Sequence, residues 1–206
     1  MPRIFQCLLV LAVFSLSACG GAAGPTPKMT TVPGDELTAE TCLQFTGETY
    51  CPVWETTQGN MRHVEYLKAG DTVESWQEMV TVRRYGGDNE IKGVIDNYVA
   101  GVRPMISLPP EFYTKKETPH EEQFVLFLVL KAPDNSVVEV VTNSFYHEGN
   151  GVVWSVFHSY RMPYAQEIDF TDVMDQKGEW MDGVSGIDAK SLLGEGENTE
   201  ADSGTE

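Results

Sequence analysis

The sequence predicts an α+β fold, in which a twisted antiparallel sheet carries helices packed on it. Three observations support this prediction. Short segments in the first half alternate apolar and polar residues, as strands with one buried face do. A later stretch repeats apolar residues at helical spacing. The segment Phe124–Leu130 is apolar without interruption, which is typical of a central strand covered on both faces.

The first predicted strands are Arg62–Leu67 and Trp76–Tyr85, where β-branched and aromatic residues alternate with polar ones. A glycine pair ends the second strand. Asp88 or Asn89 is the expected N-cap of a helix that stops at Pro104. The apolar residues of this helix recur at i, i+3, i+4 and i+7 and are Ile91, Val94, Ile95, Tyr98, Val99 and Val102.

The second half predicts an antiparallel meander and a closing helix. Residues 107–122 contain three prolines and many charges, so we expect a connecting loop there. After the central strand, Val137–Tyr146 and Val152–Arg161 are the next two strands, joined by a turn that contains Asn150-Gly151. A weaker helix follows, and its apolar residues, expected to pack on the sheet, are Phe170, Val173, Met174, Met181 and Val184.

Two family resemblances accompany this pattern. The order of the elements over roughly residues 50–184 looks like the α-β-α sandwich of PsbP-like domains. The segment Glu74–Val82, in which Trp76, Glu78 and Thr81 precede a helix, is similar to a strand of uncharacterised exported proteobacterial domains. The first resemblance implies a fold, and neither implies an activity or catalytic residues.

The amino terminus predicts export. Arg3 gives a positive start, and Ile4–Leu16 is a largely apolar run of 13 residues that suits a signal peptide and is too short to span a membrane. The segment Leu16-Ser17-Ala18-Cys19 resembles the lipobox of bacterial lipoproteins. That resemblance implies a mature chain that starts at Cys19 and carries lipid, palmitate included, on that residue. An ordinary secretory signal cut after Ala23 is the alternative.

The same resemblance implies a location. In Gram-negative lipoproteins an Asp after the lipidated cysteine tends to retain the protein at the inner membrane, and this chain has Gly20 and Gly21 there. The expectation is therefore an outer-membrane lipoprotein whose folded part faces the periplasm. The membrane, reached through the lipid, is its first expected partner.

The composition indicates how the chain is divided into segments. We expect a signal peptide over residues 1–18, a lipidated cysteine and flexible tether over 19–40, one α+β domain over 41–184 and a disordered acidic tail over 185–206. Cys42 and Cys51 are the cysteines left for the domain, and an oxidising periplasm makes them a predicted disulfide. A half-complete metal site and buried free thiols are the weaker alternatives.

No catalytic, metal or cofactor motif stands out. The formal charge is −17, with 14 Lys and Arg against 31 Asp and Glu, so nucleic acid is a poor partner. The four histidines form no zinc-binding spacing, no serine lies in a nucleophile elbow, and the glycines lack a P-loop lysine. We therefore expect no cofactor and no metal.

One polar pair is a candidate site. If Tyr146 lies opposite Val152, Glu139 faces Ser159 and lies diagonal to Arg161, within reach of an ion pair. A structural salt bridge is the simpler interpretation, and a polar floor in an apolar groove that orients a ligand is the other. The aromatic residues that could line that groove are Trp54, Trp76 and Tyr66.

These observations favour a non-enzymatic binding or accessory module of the cell envelope, with an envelope protein or a small ligand as partner. One alternative is a small periplasmic hydrolase with a site built from scattered residues, for which His158, Glu139 and Arg161 are the first candidates. The other is a scaffold lipoprotein, which would expose a contiguous apolar patch. The sequence does not choose among these partners and gives no oligomeric state or membrane leaflet.

Overall fold

The protein folds as a β-rich domain in the computed structural model, which describes residues 30–33, 42–115, 120, 122–147, 151–165 and 168–194. Strands account for 47% of the residues in the folded domain, and helices account for 25%. The predicted α+β class is therefore wrong, and with it the α-β-α sandwich of PsbP-like domains. A single large antiparallel sheet dominates, because stretches expected to be loop or tether also form strands.

The described part of the chain contains nine strands, three α-helices and one 3-10 turn. The strands are β1 Thr30–Pro33, β2 Leu43–Phe45, β3 Glu48–Gln58, β4 Met61–Lys68, β5 Glu78–Tyr85, β6 Glu111–Lys115, β7 Glu122–Lys131, β8 Val137–His147 and β9 Val153–Pro163. The helices are α1 Ile91–Val102, α2 Thr171–Gly186 and α3 Ala189–Leu192, and the 3-10 turn is Arg103–Met105.

All strands join one antiparallel sheet in the order β1-β3-β4-β5-β9-β8-β7-β6, and β2 also pairs with β3. The pairing of β5 with β9 connects the two halves of the chain at the centre of the sheet. The apolar strand β7 lies beside the edge strand β6 and is not central. It is nevertheless buried on both faces, because helices cover both sides of the sheet at that point.

The two faces of the sheet carry separate cores. On one face, called the α1 face, Ile91, Val94, Ile95 and Val102 of α1 pack with apolar residues of β7, β8 and β9. On the other, the α2 face, Val173, Trp180 and Val184 of α2 pack over apolar residues of β3, β4, β5, β8 and β9. Each strand therefore sends alternate residues into two different environments.

Several sequence expectations change at the boundaries. The expected loop 107–122 contains β6, and the expected tether contains β1. The N-cap of α1 is Glu90, while the Asn89 side chain donates hydrogen bonds to the carbonyls of Tyr85 and Gly86. The expected acidic tail is folded as far as residue 194, since it completes α2 and forms α3.

The folded start of that tail is held by three apolar residues in the α2-face core. These residues are Ile187, Ala189 and Leu193. The acidic composition of this segment gave no indication that these residues are folded. The predicted signal peptide, Cys19 and residues 195–206 lie outside the described residues.

Candidate functional site

Strand register brings Glu139 and Arg161 directly opposite each other across β8 and β9. Arg161 Nε donates to Glu139 Oε2 at 3.3 Å. The sequence placed Tyr146 opposite Val152, but Tyr146 pairs with Trp154. This shift of two residues keeps both charged side chains on the same face and turns a diagonal pair into a direct one.

His158 does not join that pair. It lies opposite Thr142 on the α2 face, whereas Glu139 and Arg161 belong to the α1 face. His158 is therefore separated from Glu139 and Arg161 by the thickness of the sheet. A reaction that needs all three at one substrate has no common site here.

Glu139 of this pair lines a small pocket under α1. The Arg161 guanidinium carbon lies 3.5 Å from the centre of the Trp76 ring, close enough for a cation–π interaction. The pocket has a volume of about 50 Å³. Its lining residues are Trp76, Met79, Thr81, Arg83, Tyr98, Val102, Met105, Leu130, Glu139, Val141, Phe157 and Ser159.

This pocket has apolar walls and few polar groups, which is the usual composition of a small-ligand site. Arg83 supplies a buried guanidinium whose carbon lies 4.3 Å from the centre of the Phe157 ring. Glu139 supplies a carboxylate, and Thr81 and Ser159 supply hydroxyl groups. A volume of this size holds a few water molecules or a ligand group of similar dimensions.

The polar character of the α1 face continues from Arg83 onto β4. His63 lies opposite Arg83, and its Nε2 is 3.4 Å from Glu65 Oε1. Burial, and then the charge of Arg83, lower the pKa of His63 to about 4. His63 is therefore neutral near pH 7, and the charged residues that line the pocket are Arg83 and Glu139.

Most residues of this site were not predicted from the sequence. Neither Arg83 nor His63 belongs to a motif that would mark it as a site residue. Their meeting depends on the register between β4 and β5, which sets Arg83 beside His63 on a buried face. Of the expected groove aromatics, Trp76 lines the pocket, Trp54 packs edge-on against His63, and Tyr66 belongs to the α2-face core.

His158 takes part in a hydrogen-bonded cluster on the α2 face. Tyr50 Oη donates to Glu78 Oε2 at 2.8 Å, and His158 Nε2 lies 3.4 Å from the same oxygen. Lys68 Nζ lies 3.3 Å from Glu78 Oε1. The hydrogen bond with His158, helped by Tyr50 and Lys68, lowers the pKa of Glu78 to about 2.

The surroundings of His158 indicate a structural role for this cluster. Burial lowers the pKa of His158. Its ring lies between Phe45 and Trp180, with ring centres 4.6 Å and 4.7 Å away. The cluster ties β3, β5 and β9 together beneath α2, and a carboxylate held by three donors is poorly placed to accept a proton from a substrate.

Cys42 and Cys51 form the expected disulfide. It closes the hairpin of β2 and β3, in which Leu43 lies opposite Tyr50. The bond therefore fixes the strand that places Phe45 over His158. Within the described residues, no group of three or more metal-ligating side chains comes together. None of the described helices has the length and apolar character needed to cross a bilayer.

The fold and the pocket define a disulfide-closed, β-rich domain with a small pocket that contains a few polar groups. Residues 37–163 match a protein-family model over more than half of the chain, so the protein belongs to that family. No curated protein matches it in sequence.

Among solved structures, the chain is similar to LpqN of Mycobacterium tuberculosis, a protein involved in cell envelope biogenesis. The TM-score is 0.34 and the identity 9%, over 80% of this chain and 84% of that chain. A likeness at this level carries no argument about this protein.

Proposed function

We propose that this protein is an exported lipoprotein, anchored through Cys19 in the outer membrane, whose domain faces the periplasm and acts as a non-enzymatic binding or accessory module. The observation that carries the proposal is the lipobox-like segment Leu16–Cys19 at the end of the 13-residue apolar run Ile4–Leu16. The disulfide between Cys42 and Cys51 supports it, because such bonds persist outside the reducing cytoplasm.

The pocket under α1 is the proposed binding site. Among the residues that line it, Arg83 carries a positive charge and Glu139 a negative one, so their side chains contribute no net charge at neutral pH. Such a site favours a neutral or zwitterionic group over a free anion or cation, because an extra buried charge would lack a counterion. Its small volume limits the ligand to a compact molecule or to one side group of a larger partner.

Metabolic labelling with a palmitate analogue tests the anchor. The natural chain is expected to incorporate the label and to sediment with outer membranes, whereas Cys19→Ala is expected to be exported, unlabelled and soluble. Label that remains in Cys19→Ala, or a natural chain without label, would contradict the anchor.

An NMR titration tests the pocket, with glycine as the zwitterionic probe and acetate and methylammonium as singly charged ones. Glycine is expected to shift the amide signals of Thr81 and Ser159 more than either ion does. Val141→Phe, which fills the pocket with a larger side chain, is expected to abolish those shifts. Equal responses to all three probes, or shifts that survive Val141→Phe, would refute this binding site.

A further inference from the structure

The strand β6 forms one edge of the sheet. It pairs with β7 on one side, and no other strand in the described part of the chain lies on its other side. An edge strand presents backbone N–H and C=O groups that can pair with a further strand. Proline often blocks such pairing, but Pro109 and Pro110 come before β6 and do not interrupt it. The edge of β6 is therefore able to accept another strand.

The five residues of β6, Glu-Phe-Tyr-Thr-Lys, are complementary to themselves in the antiparallel direction. If Tyr113 lies opposite Tyr113 of a second copy, each Glu111 lies opposite Lys115 of the other copy. Opposite charges directly across an antiparallel pair stabilise it. A parallel pairing in register would set like charges side by side, and a shift of the antiparallel register by two residues would remove both direct charge pairs. The sequence of β6 therefore favours one arrangement of two copies.

Glu111 can take part in this pairing without losing its present contacts. Its Oε2 accepts a hydrogen bond from Lys177 Nζ at 2.6 Å and another from the Tyr113 hydroxyl. These two hydrogen bonds lower the pKa of Glu111, so the carboxylate is charged at neutral pH. The side chain is 44% exposed, and its Oε1 has no partner among the residues that the structure describes. This second oxygen is available to a lysine of another copy.

Phe112 exposes an apolar surface at the same edge. It lies opposite Leu126 of β7, on the α1 face, and is 56% exposed. In the pairing described above it lies opposite Thr114 of the second copy and diagonal to the other Phe112. Aromatic side chains reach across such diagonal positions. The pairing therefore covers this apolar surface on the α1 face and matches the charges on the α2 face.

We propose that the protein forms a symmetric dimer through its β6 strands, with the two-fold axis at Tyr113. A second copy is the partner because the same five residues supply both sides of every contact, as a two-fold interface requires. Directly opposite residues point to the same face of a sheet. The α1 faces of both copies therefore lie on one side of the joined sheet, and so do the two proposed binding pockets. This inference does not depend on the lipid anchor.

Sedimentation velocity of the exported Cys19→Ala protein measures dimer formation without the lipid. A pairing of two short strands is smaller than a standard interface, so we expect a dissociation constant in the micromolar range or weaker. Phe112→Ser is expected to raise this constant about tenfold, because it removes two symmetric contacts. The matched control Tyr164→Ser removes an aromatic residue that is 40% exposed beyond the end of β9, and it is expected to leave the constant unchanged.

Disulfide trapping tests the register of the pairing. Tyr113→Cys places two cysteines directly opposite each other at the two-fold axis, at a Cα separation that a disulfide can bridge. We expect a cross-linked dimer on non-reducing gels after mild oxidation. The control Thr114→Cys, on the same strand, places its two cysteines diagonally and too far apart to bridge, so little cross-linking is expected. Thermal unfolding of each variant shows that the fold is retained.

Three results would overturn the proposal. The first is a protein that stays monomeric up to millimolar concentration. The second is an equal effect of Phe112→Ser and Tyr164→Ser on the dissociation constant, or equal cross-linking of Tyr113→Cys and Thr114→Cys. The third is assembly beyond the dimer, because a symmetric pairing of two edges is closed and leaves no β6 edge for a third copy.

Discussion

His63 should make the protein lose stability in mild acid. The side chain is 3% exposed on β4, and its pKa in the fold is about 4 against an ordinary value of 6.5. Above pH 6.5 the imidazole is neutral in both states. As the pH falls from 6.5 to about 4, the unfolded chain binds a proton that the folded chain does not, so the folded state loses relative stability. A difference of about 2.5 pKa units corresponds to about 3 kcal/mol.

The variant His63→Gln isolates this effect. It removes the titrating group and keeps a neutral polar side chain. Any loss of unfolding free energy that the substitution causes should therefore already be present at pH 7.5. Urea unfolding between pH 7.5 and 4 measures the difference in unfolding free energy between the natural chain and the variant. The natural chain should lose about 3 kcal/mol more than the variant over that range. Parallel stability curves would refute the conclusion that His63 is held neutral by burial and Arg83.

Three further predictions concern packing and charge. Cys51→Ser should lower the unfolding free energy by about 2 to 3 kcal/mol in non-reducing urea titrations, and reductant should produce the same loss in the natural chain. Gly183→Ala should destabilise by about 1 to 3 kcal/mol, because its Cβ would lie 2.6 Å from Phe45 Cε2. Gly178→Ala in the same helix meets no atom within 4 Å and should raise the melting temperature. Glu78→Gln should reduce the loss of stability between pH 4.5 and 2, because the lowered pKa of Glu78 stabilises the fold only while the carboxylate is charged. Equal effects of the two glycine substitutions, or unchanged acid sensitivity in Glu78→Gln, would contradict these contacts.

The sequence predicted well those elements whose periodicity is undisturbed. The strand Arg62–Leu67 and the helix from Ile91 to Val102 are found as β4 and α1. The strand Glu48–Gln58 was missed because a register irregularity between Pro52 and Trp54 breaks the alternation on which strand prediction depends. The edge strand Glu111–Lys115 was missed because prolines and charges flank it, and both are ordinary at a sheet edge.

The candidate site shows the same division between local and long-range information. The side-chain alternation of β9 separates His158 from Arg161, so residue parity alone argues against a site made of both. The pairing of Glu139 with Arg161 needed the exact hairpin register, which depends on the length of the connecting turn. The pairing of His63 with Arg83 depends on the register between β4 and β5, for which the sequence offers no marker.

Intact-mass analysis of the protein purified from its own membranes tests the central claim most directly. We expect a chain that begins at Cys19 and is heavier than its residues by the mass of the attached acyl groups. A chain that starts at residue 24 without lipid, or one that retains its first 18 residues, would contradict it.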